Sequence, residues 1–154
     1  MVIEGTIGLC FIGYDFFIQH CIFVLLFIID TGDLYGWGWN ESGQVGVAVD
    51  EDSSSPPQMV SLPQLVETPL EETFVSMATG SRHSISVSST GDVYSWGCCN
   101  YGQLGQGDQE SKYLPTKVSR LPCNAVDVSC TKNGTFIYCK KVDHKKEMSN
   151  GDHG

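Results

Sequence analysis

Apolar and polar positions alternate along much of this chain, and the period is two. In Leu34-Tyr35-Gly36-Trp37-Gly38-Trp39, the aromatics Tyr35, Trp37 and Trp39 fall on one face and Leu34, Gly36 and Gly38 on the other, which predicts a β-strand. Tyr94 and Trp96 alternate in the same way with Val93, Ser95 and Gly97. Val75 and Met77 precede the turn-like Gly80-Ser81-Arg82-His83-Ser84, and Ile85 and Val87 follow it. Val126, Val128, Phe136 and Tyr138 also stand at strand spacing. Turn residues bound these runs. Thr31-Gly32-Asp33 and Thr90-Gly91-Asp92 place glycine where a tight turn needs a positive φ, and Gly43, Gly46, Gly102 and Gly105 punctuate the segments that follow.

The runs repeat. TGDLYGWGWNESGQVG (Thr31 to Gly46) and TGDVYSWGCCNYGQLG (Thr90 to Gly105) align without a gap at an offset of 59, with nine of 16 positions identical. Self-similarity at fixed spacing marks stacked supersecondary units. The flanks align more loosely: Pro57-Gln58-Met59-Val60 and Pro115-Thr116-Lys117-Val118 lie 58 apart. Several short strands per unit, separated by turns, describe a propeller blade. Small residues on one face would let a neighbouring sheet approach, while the aromatics fill the gap between sheets. The predicted fold class is therefore all-β: a partial β-propeller of two to three four-stranded antiparallel blades.

Gly-x-x-His-Ser, a short strand, Thr-Gly-Asp-x-Tyr-x-Trp-Gly and then Gly-Gln-x-Gly resembles the regulator of chromosome condensation repeat. Gly80, His83, Gly91, Tyr94, Trp96, Gly97, Gly102, Gln103, Leu104 and Gly105 carry the resemblance in the second copy. Gly32, Tyr35, Trp37, Gly38, Gly43, Gln44 and Gly46 carry it in the first. The phrase from Gly36 to Gln44 looks most like a small chromatin-associated member of the family. The resemblance spans about Asp30 to Tyr138 and implies a seven-bladed ring, with the histidine structural and bonded within its blade. In the third stretch Thr131 and Gly134 stand where Gly80 and His83 would be, a departure expected of a terminal repeat. With 154 residues the chain holds fewer than three such units, whereas closed propellers need about four to eight blades. It is expected to be the C-terminal part of a longer ring.

Charge divides the chain. Residues 1–81 hold 11 acidic and no basic residues, and residues 82–154 hold nine basic and seven acidic. An acidic surface repels phosphate, so direct nucleic-acid binding is not expected; a basic protein partner such as a histone tail fits better. The seven cysteines (10, 21, 98, 99, 123, 130 and 139) form no Cys-x-x-Cys pair. No disulfide framework, metal site or cofactor is expected, and free thiols point to a nuclear or cytoplasmic setting. Cys98-Cys99 replaces Trp39-Asn40 of the first copy and is expected as strand filler.

Residues 1–29 form an apolar segment outside the repeat, pointing to a splice or gene-model boundary near Asp30. The apolar run Cys21 to Ile29 falls well short of the roughly 20 residues of a membrane span, and no basic residue precedes Arg82 as a signal peptide requires. Residues 30–139 are assigned to repeats and 140–154 to a polar, disordered tail. Val47 to Pro57 reads as an acidic, serine-rich loop in which Asp50, Glu51 and Asp52 are candidate partner contacts, together with Trp39 and Arg82. Arg82 could also pair with a carboxylate of the neighbouring blade. His83 and Ser84 are adjacent on a strand and point to opposite faces, so they make no nucleophile–base pair. The expected function is non-catalytic: a chromatin-associated adaptor for a protein partner such as a histone or a chromatin-modifying protein. The alternative implied by the family is part of an exchange factor for a Ran-like GTPase. Light sensing through clustered tryptophans is not expected, because the chain has only three.

Overall fold

The computed structural model describes residues 24–47, 57–68 and 72–140. Nine strands follow one another: β1 (Val24–Ile28), β2 (Leu34–Trp39), β3 (Met59–Leu65), β4 (Phe74–Thr79), β5 (His83–Ser88), β6 (Val93–Gly97), β7 (Lys112–Lys117), β8 (Ala125–Cys130) and β9 (Thr135–Cys139). They form three antiparallel sheets, β1-β2-β3, β4-β5-β6-β7 and β8-β9. The second sheet is a full four-stranded blade, and the others are partial blades stacked on either side of it. This is the expected all-β partial propeller. The apolar run placed outside the repeat contributes its Val24–Ile28 stretch to the first blade, where Leu26 pairs with Gly36 and Phe27 with Tyr35.

Two apolar layers hold the stack together. Val24, Leu26, Leu34, Val45, Val47, Val60 and Val66 of the first blade pack on Phe74, Tyr94 and Trp96 of the second. Ile85, Val87, Val93 and Val118 of the second blade pack on Ala125 and Val128 of the third. The aromatics of β6 thus fill the gap between sheets, as expected. The small face has another use. A Cβ on Gly36 would lie 2.8 Å from the Val45 carbonyl, so the approaching backbone is the blade's own exit loop and not a neighbouring sheet. In the second blade Ser95 meets the same loop with a hydroxyl, donating to the Leu104 carbonyl at 2.7 Å.

Strand register corrects the alignment of the flanks. Tyr35 pairs with Leu65 and Gly36 with Gln64, while Tyr94 pairs with Lys117 and Ser95 with Thr116. Leu62-Pro63-x-x-Val66 is therefore the counterpart of Leu114-Pro115-x-x-Val118, 52 residues on, and Pro57 is not the counterpart of Pro115. Thirteen positions separate Gly46 from Met59 but only six separate Gly105 from Ser111. The first blade carries seven extra residues there, so the 59-residue offset is a shorter repeat lengthened by one loop insertion. That insertion coincides with the acidic, serine-rich stretch.

One cysteine expectation also changes. Cys123, in the connection after β7, and Cys139, at the end of β9, form a disulfide. They are 16 residues apart in sequence, and the β8–β9 hairpin brings them together, so spacing alone gave no sign of the pair. Cys98 and Cys99 are buried and free, but they lie just past the end of β6, where the exit loop begins, and not within the strand as expected.

Candidate interaction surface

Each joint between blades starts at a Gly-Gln-x-Gly exit loop. In the first loop the Gln44 side chain accepts from the Ser42 amide at 2.8 Å, and Asn40 accepts from the Val45 amide at 2.9 Å. In the second, Gln103 accepts from the Tyr101 amide at 2.8 Å. Each glutamine braces its own loop and leaves its backbone carbonyl pointing at the next blade. The Gln44 carbonyl accepts from Ser84 Oγ at 2.6 Å and from Trp96 Nε1 at 3.0 Å. The Gln103 carbonyl accepts from Thr135 Oγ1 at 2.9 Å. Gly46 makes room for the indole: its φ is +81°, and a Cβ there would lie 2.6 Å from Trp96 Nε1. Any side chain would displace the tryptophan from its acceptor.

His83 reaches across this system. Its Nε2 lies 3.0 Å from Thr135 Oγ1, and because that hydroxyl donates to Gln103, the imidazole serves as donor to it. The imidazole is buried, and this bond runs to the next blade, not within its own blade as the resemblance implied. Burial holds the imidazole pKa below the ordinary 6.5, outweighing a bond with the Gly134 backbone that works the other way. Gly80 packs directly on the ring. Tyr94 is pushed up to about 12, first by burial and then by Glu72, whose carboxylate accepts from its hydroxyl at 3.2 Å.

Among the candidate contacts, Arg82 is engaged inside the stack. Its Nη2 donates to Glu41 Oε2 at 2.9 Å and its Nε to Ser42 Oγ at 3.1 Å, joining the second blade to the first. Trp39 is half-buried at the end of β2. Asp50, Glu51 and Asp52 lie outside the described residues, although Val47 and Pro57 fix where their loop leaves and rejoins the blade. Gly32 and Gly91 turn the hairpins with φ of +89° and +87°, Gly38 and Gly97 close the strands, and Gly43, Gly102 and Gly105 shape the exit loops. Tyr35 and Trp37 form the outer face of the first blade, where Phe27 stacks on Tyr35 at 5.2 Å and meets Trp37 edge-on at 5.5 Å.

Ser84, which the sequence raised only as a rejected nucleophile, completes the joints together with Thr135, Glu41 and Ser42, which were not singled out. The signal for two of them was present: aligning Gly80 with Thr131 and His83 with Gly134 also aligns Ser84 with Thr135. Tyr101 is another addition. It takes the place of Ser42 in the second exit loop, Asn133 takes the place of Arg82, and the tyrosine stands 72% exposed.

The regulator of chromosome condensation (RCC1) repeat matches residues 31–87 and 90–138, which is more than half of the chain. The chain belongs to the RCC1 repeat family. Mouse RCC1 domain-containing protein 1 is 30% identical over 146 residues, covering 74% of this chain and 39% of that protein. The Arabidopsis ultraviolet-B receptor UVR8 is 38% identical over 94 residues, covering 61% of this chain and 20% of the receptor. Among solved structures, yeast RCC1 (Prp20) bound to Kap60 superimposes with a TM-score of 0.62 at 26% identity, covering 73% of this chain and 27% of that one. A second Prp20 structure, described with its binding to Gsp1p and histones, gives 0.63 at 25% identity and covers 77% and 30%. This RCC1-repeat chain thus spans about two fifths, or less, of the relatives it matches.

Proposed function

We propose that this RCC1-repeat chain is a non-catalytic protein-interaction unit, a chromatin-associated adaptor whose acidic rim receives a basic protein segment. The observation that carries this is the charge distribution. Residues 1–81 hold 11 acidic and no basic side chains, and the first cation, Arg82, is already bound to Glu41. The stretch between Val47 and Pro57, where the first blade has seven more residues than the second, includes Asp50, Glu51 and Asp52 in its sequence. A field of one sign steers and holds a partner of the other. Histone binding described for Prp20 supports a histone tail as that partner, and a basic segment of a chromatin-modifying protein has the same chemistry. A nuclear setting, cytoplasmic in part, goes with this reading.

The test is capture of a lysine-rich histone-tail peptide by the purified chain. Binding should weaken steeply as salt rises from about 50 to 200 mM, since exposed charges are screened over roughly 10 Å. It should also weaken when Asp50, Glu51 and Asp52 become asparagine, glutamine and asparagine. Binding that ignores both changes would sink the proposal. The binding of Prp20 to Gsp1p favours a second reading, a contribution to nucleotide exchange on a Ran-like GTPase. Stopped-flow nucleotide release should then accelerate in the presence of a complete propeller containing this chain, and an unchanged rate would remove that reading.

A further inference from the structure

The β8–β9 hairpin turns through Thr131-Lys132-Asn133-Gly134, and the turn is pinned on both sides. The Ser81 amide of the second blade donates to the Lys132 carbonyl at 3.2 Å, and the Thr131 amide closes the turn on the Gly134 carbonyl at 2.9 Å. One residue on, Thr135 joins Gln103 and His83. Between these anchors Asn133 is exposed. Neither its side chain nor the Gly134 amide nitrogen has a hydrogen-bond partner among the described residues.

An asparagine in that setting carries its own electrophile and nucleophile, which is why the residue type is thermally labile. The nitrogen of the next residue can close on the side-chain amide carbon, and glycine, with no Cβ, leaves that approach open. The other asparagines among the described residues each lack a requirement. Asn40 is fully buried, and its Oδ1 is held by the Val45 amide. Asn100 and Asn124 are exposed, but Tyr101 and Ala125 follow them, and a Cβ there crowds the attacking nitrogen.

We infer that Asn133-Gly134 is a site of spontaneous deamidation whose product loosens the joint between the second and third blades. The Gly134 nitrogen gives up its proton and bonds to Asn133 Cγ, the Cγ–Nδ2 bond breaks, and ammonia leaves with that proton. Water then opens the succinimide at one of its two carbonyls. Opening at the side-chain carbonyl gives aspartate on a normal backbone, and opening at the main-chain carbonyl gives isoaspartate, with the backbone routed through the side chain. Isoaspartate adds one methylene, about 1.5 Å of path, between Lys132 and Gly134. Ser81 anchors one side of that insertion and Gln103 the other, so the added length pulls against the bonds of Thr135. Both products also place a carboxylate where the second blade has Arg82.

The test incubates the full chain at mildly alkaline pH, where the attacking amide is more readily deprotonated, and then cuts it with trypsin. Cleavage after Lys132 and Lys140 separates this site from the other Asn-Gly pair, Asn150-Gly151. The 133–140 peptide should exchange its amide for an acid, read by mass spectrometry, and part of it should accept methyl groups from S-adenosylmethionine through an isoaspartyl methyltransferase. Gly134→Ala should slow the conversion about tenfold or more, which is about 1.4 kcal/mol or more on the barrier. The fold tolerates that change, since the Gly134 backbone lies outside the left-handed region and the added Cβ meets only the Thr131 hydroxyl, at 3.0 Å. Amide exchange across Thr135–Cys139 should quicken in step with the isoaspartate content. Asn133→Asp, which carries the charge without the methylene, should quicken it less. An Asn133 that stays intact while Asn150 converts, or an equal rate in Gly134→Ala, would overturn the site, and unchanged exchange in β9 after conversion would overturn its effect on the joint.

Discussion

The joint between the first two blades and the joint between the second and third share one bond, a hydroxyl at the start of a strand donating to a glutamine carbonyl. Around that bond they diverge. The first joint adds the buried rings of Tyr94 and Trp96, a second donor to the carbonyl, and an arginine–glutamate pair at the rim. The second has Ala125 where the first has Phe74, with a histidine and a disulfide for reinforcement. A blade joint therefore has two separable parts: a short polar bond that sets register, and an aromatic layer that supplies most of the energy. The first joint has both parts, and the second has the bond with an aliphatic layer in place of the aromatic one.

The sharpest way to break this comparison is to remove a tryptophan from each side of the first blade. Trp96→Ala empties a fully buried site and leaves the Gln44 carbonyl one donor short, so it should cost about 3–5 kcal/mol. That is a large share of the stability of an ordinary domain. Trp37→Ala, at the equivalent but half-buried position, should cost about 1–2 kcal/mol. Urea denaturation of both variants measures the difference. Equal losses would mean that the outer face of the first blade is as tightly covered as the joint.

The disulfide provides the next largest effect and confines it to the second joint. A two-stranded hairpin is marginal by itself, and Cys123–Cys139 closes a loop of 16 residues around this one. Such a crosslink contributes about 3 kcal/mol. Cys139→Ser should therefore accelerate amide exchange in β8 and β9 by about two orders of magnitude while leaving β4–β7 unchanged. Uniform acceleration across both sheets would show that the third blade also supports the second.

Much of this was legible in the chain because period-two alternation and turn glycines act locally. The Tyr-x-Trp-Gly strands, their hairpin turns and the Gly-Gln-x-Gly loops all stand where the residues indicate. Relations that form only when distant segments meet were not legible. The Leu-Pro-x-x-Val counterparts were hidden by a loop insertion that shifted the apparent offset, and register alone recovered them. The Cys123–Cys139 pair depends on how hairpins stack, which no spacing encodes; for Arg82 the sequence offered a carboxylate of the neighbouring blade but not which one, Glu41. His83 was expected to bond within its own blade, whereas its partner Thr135 belongs to a blade that departs from the repeat.

That histidine links the polar bond to pH. Thr135→Val removes the donor to Gln103 and the acceptor for His83, and should cost about 1–2 kcal/mol. Ser84→Ala should cost less, because Trp96 still serves the Gln44 carbonyl. Burial lowers the folded-state pKa of His83, so below about pH 6.5 the unfolded chain takes up a proton that the folded chain refuses. Stability is then full above that pH and declines as the pH falls toward the lower folded value. His83→Gln should flatten the decline. A slope that persists in this variant would assign the acid sensitivity elsewhere.

The smallest effect expected is at the most visible contact of the first joint. Arg82 and Glu41 form an ion pair at 2.9 Å, but their side chains are 43% and 48% exposed. Water and salt screen such a pair, and it contributes less than about 1 kcal/mol. Glu41→Gln keeps a hydrogen-bond acceptor and should barely change the urea midpoint, with even that change fading at high salt. Arg82→Ala should cost slightly more, because the guanidinium also donates to Ser42 and its stem covers the exit loop. If Glu41→Gln instead rivalled Trp96→Ala, the rim charges and not the aromatic layer would hold the first joint, and the division of labour between the two parts of a joint would be reversed.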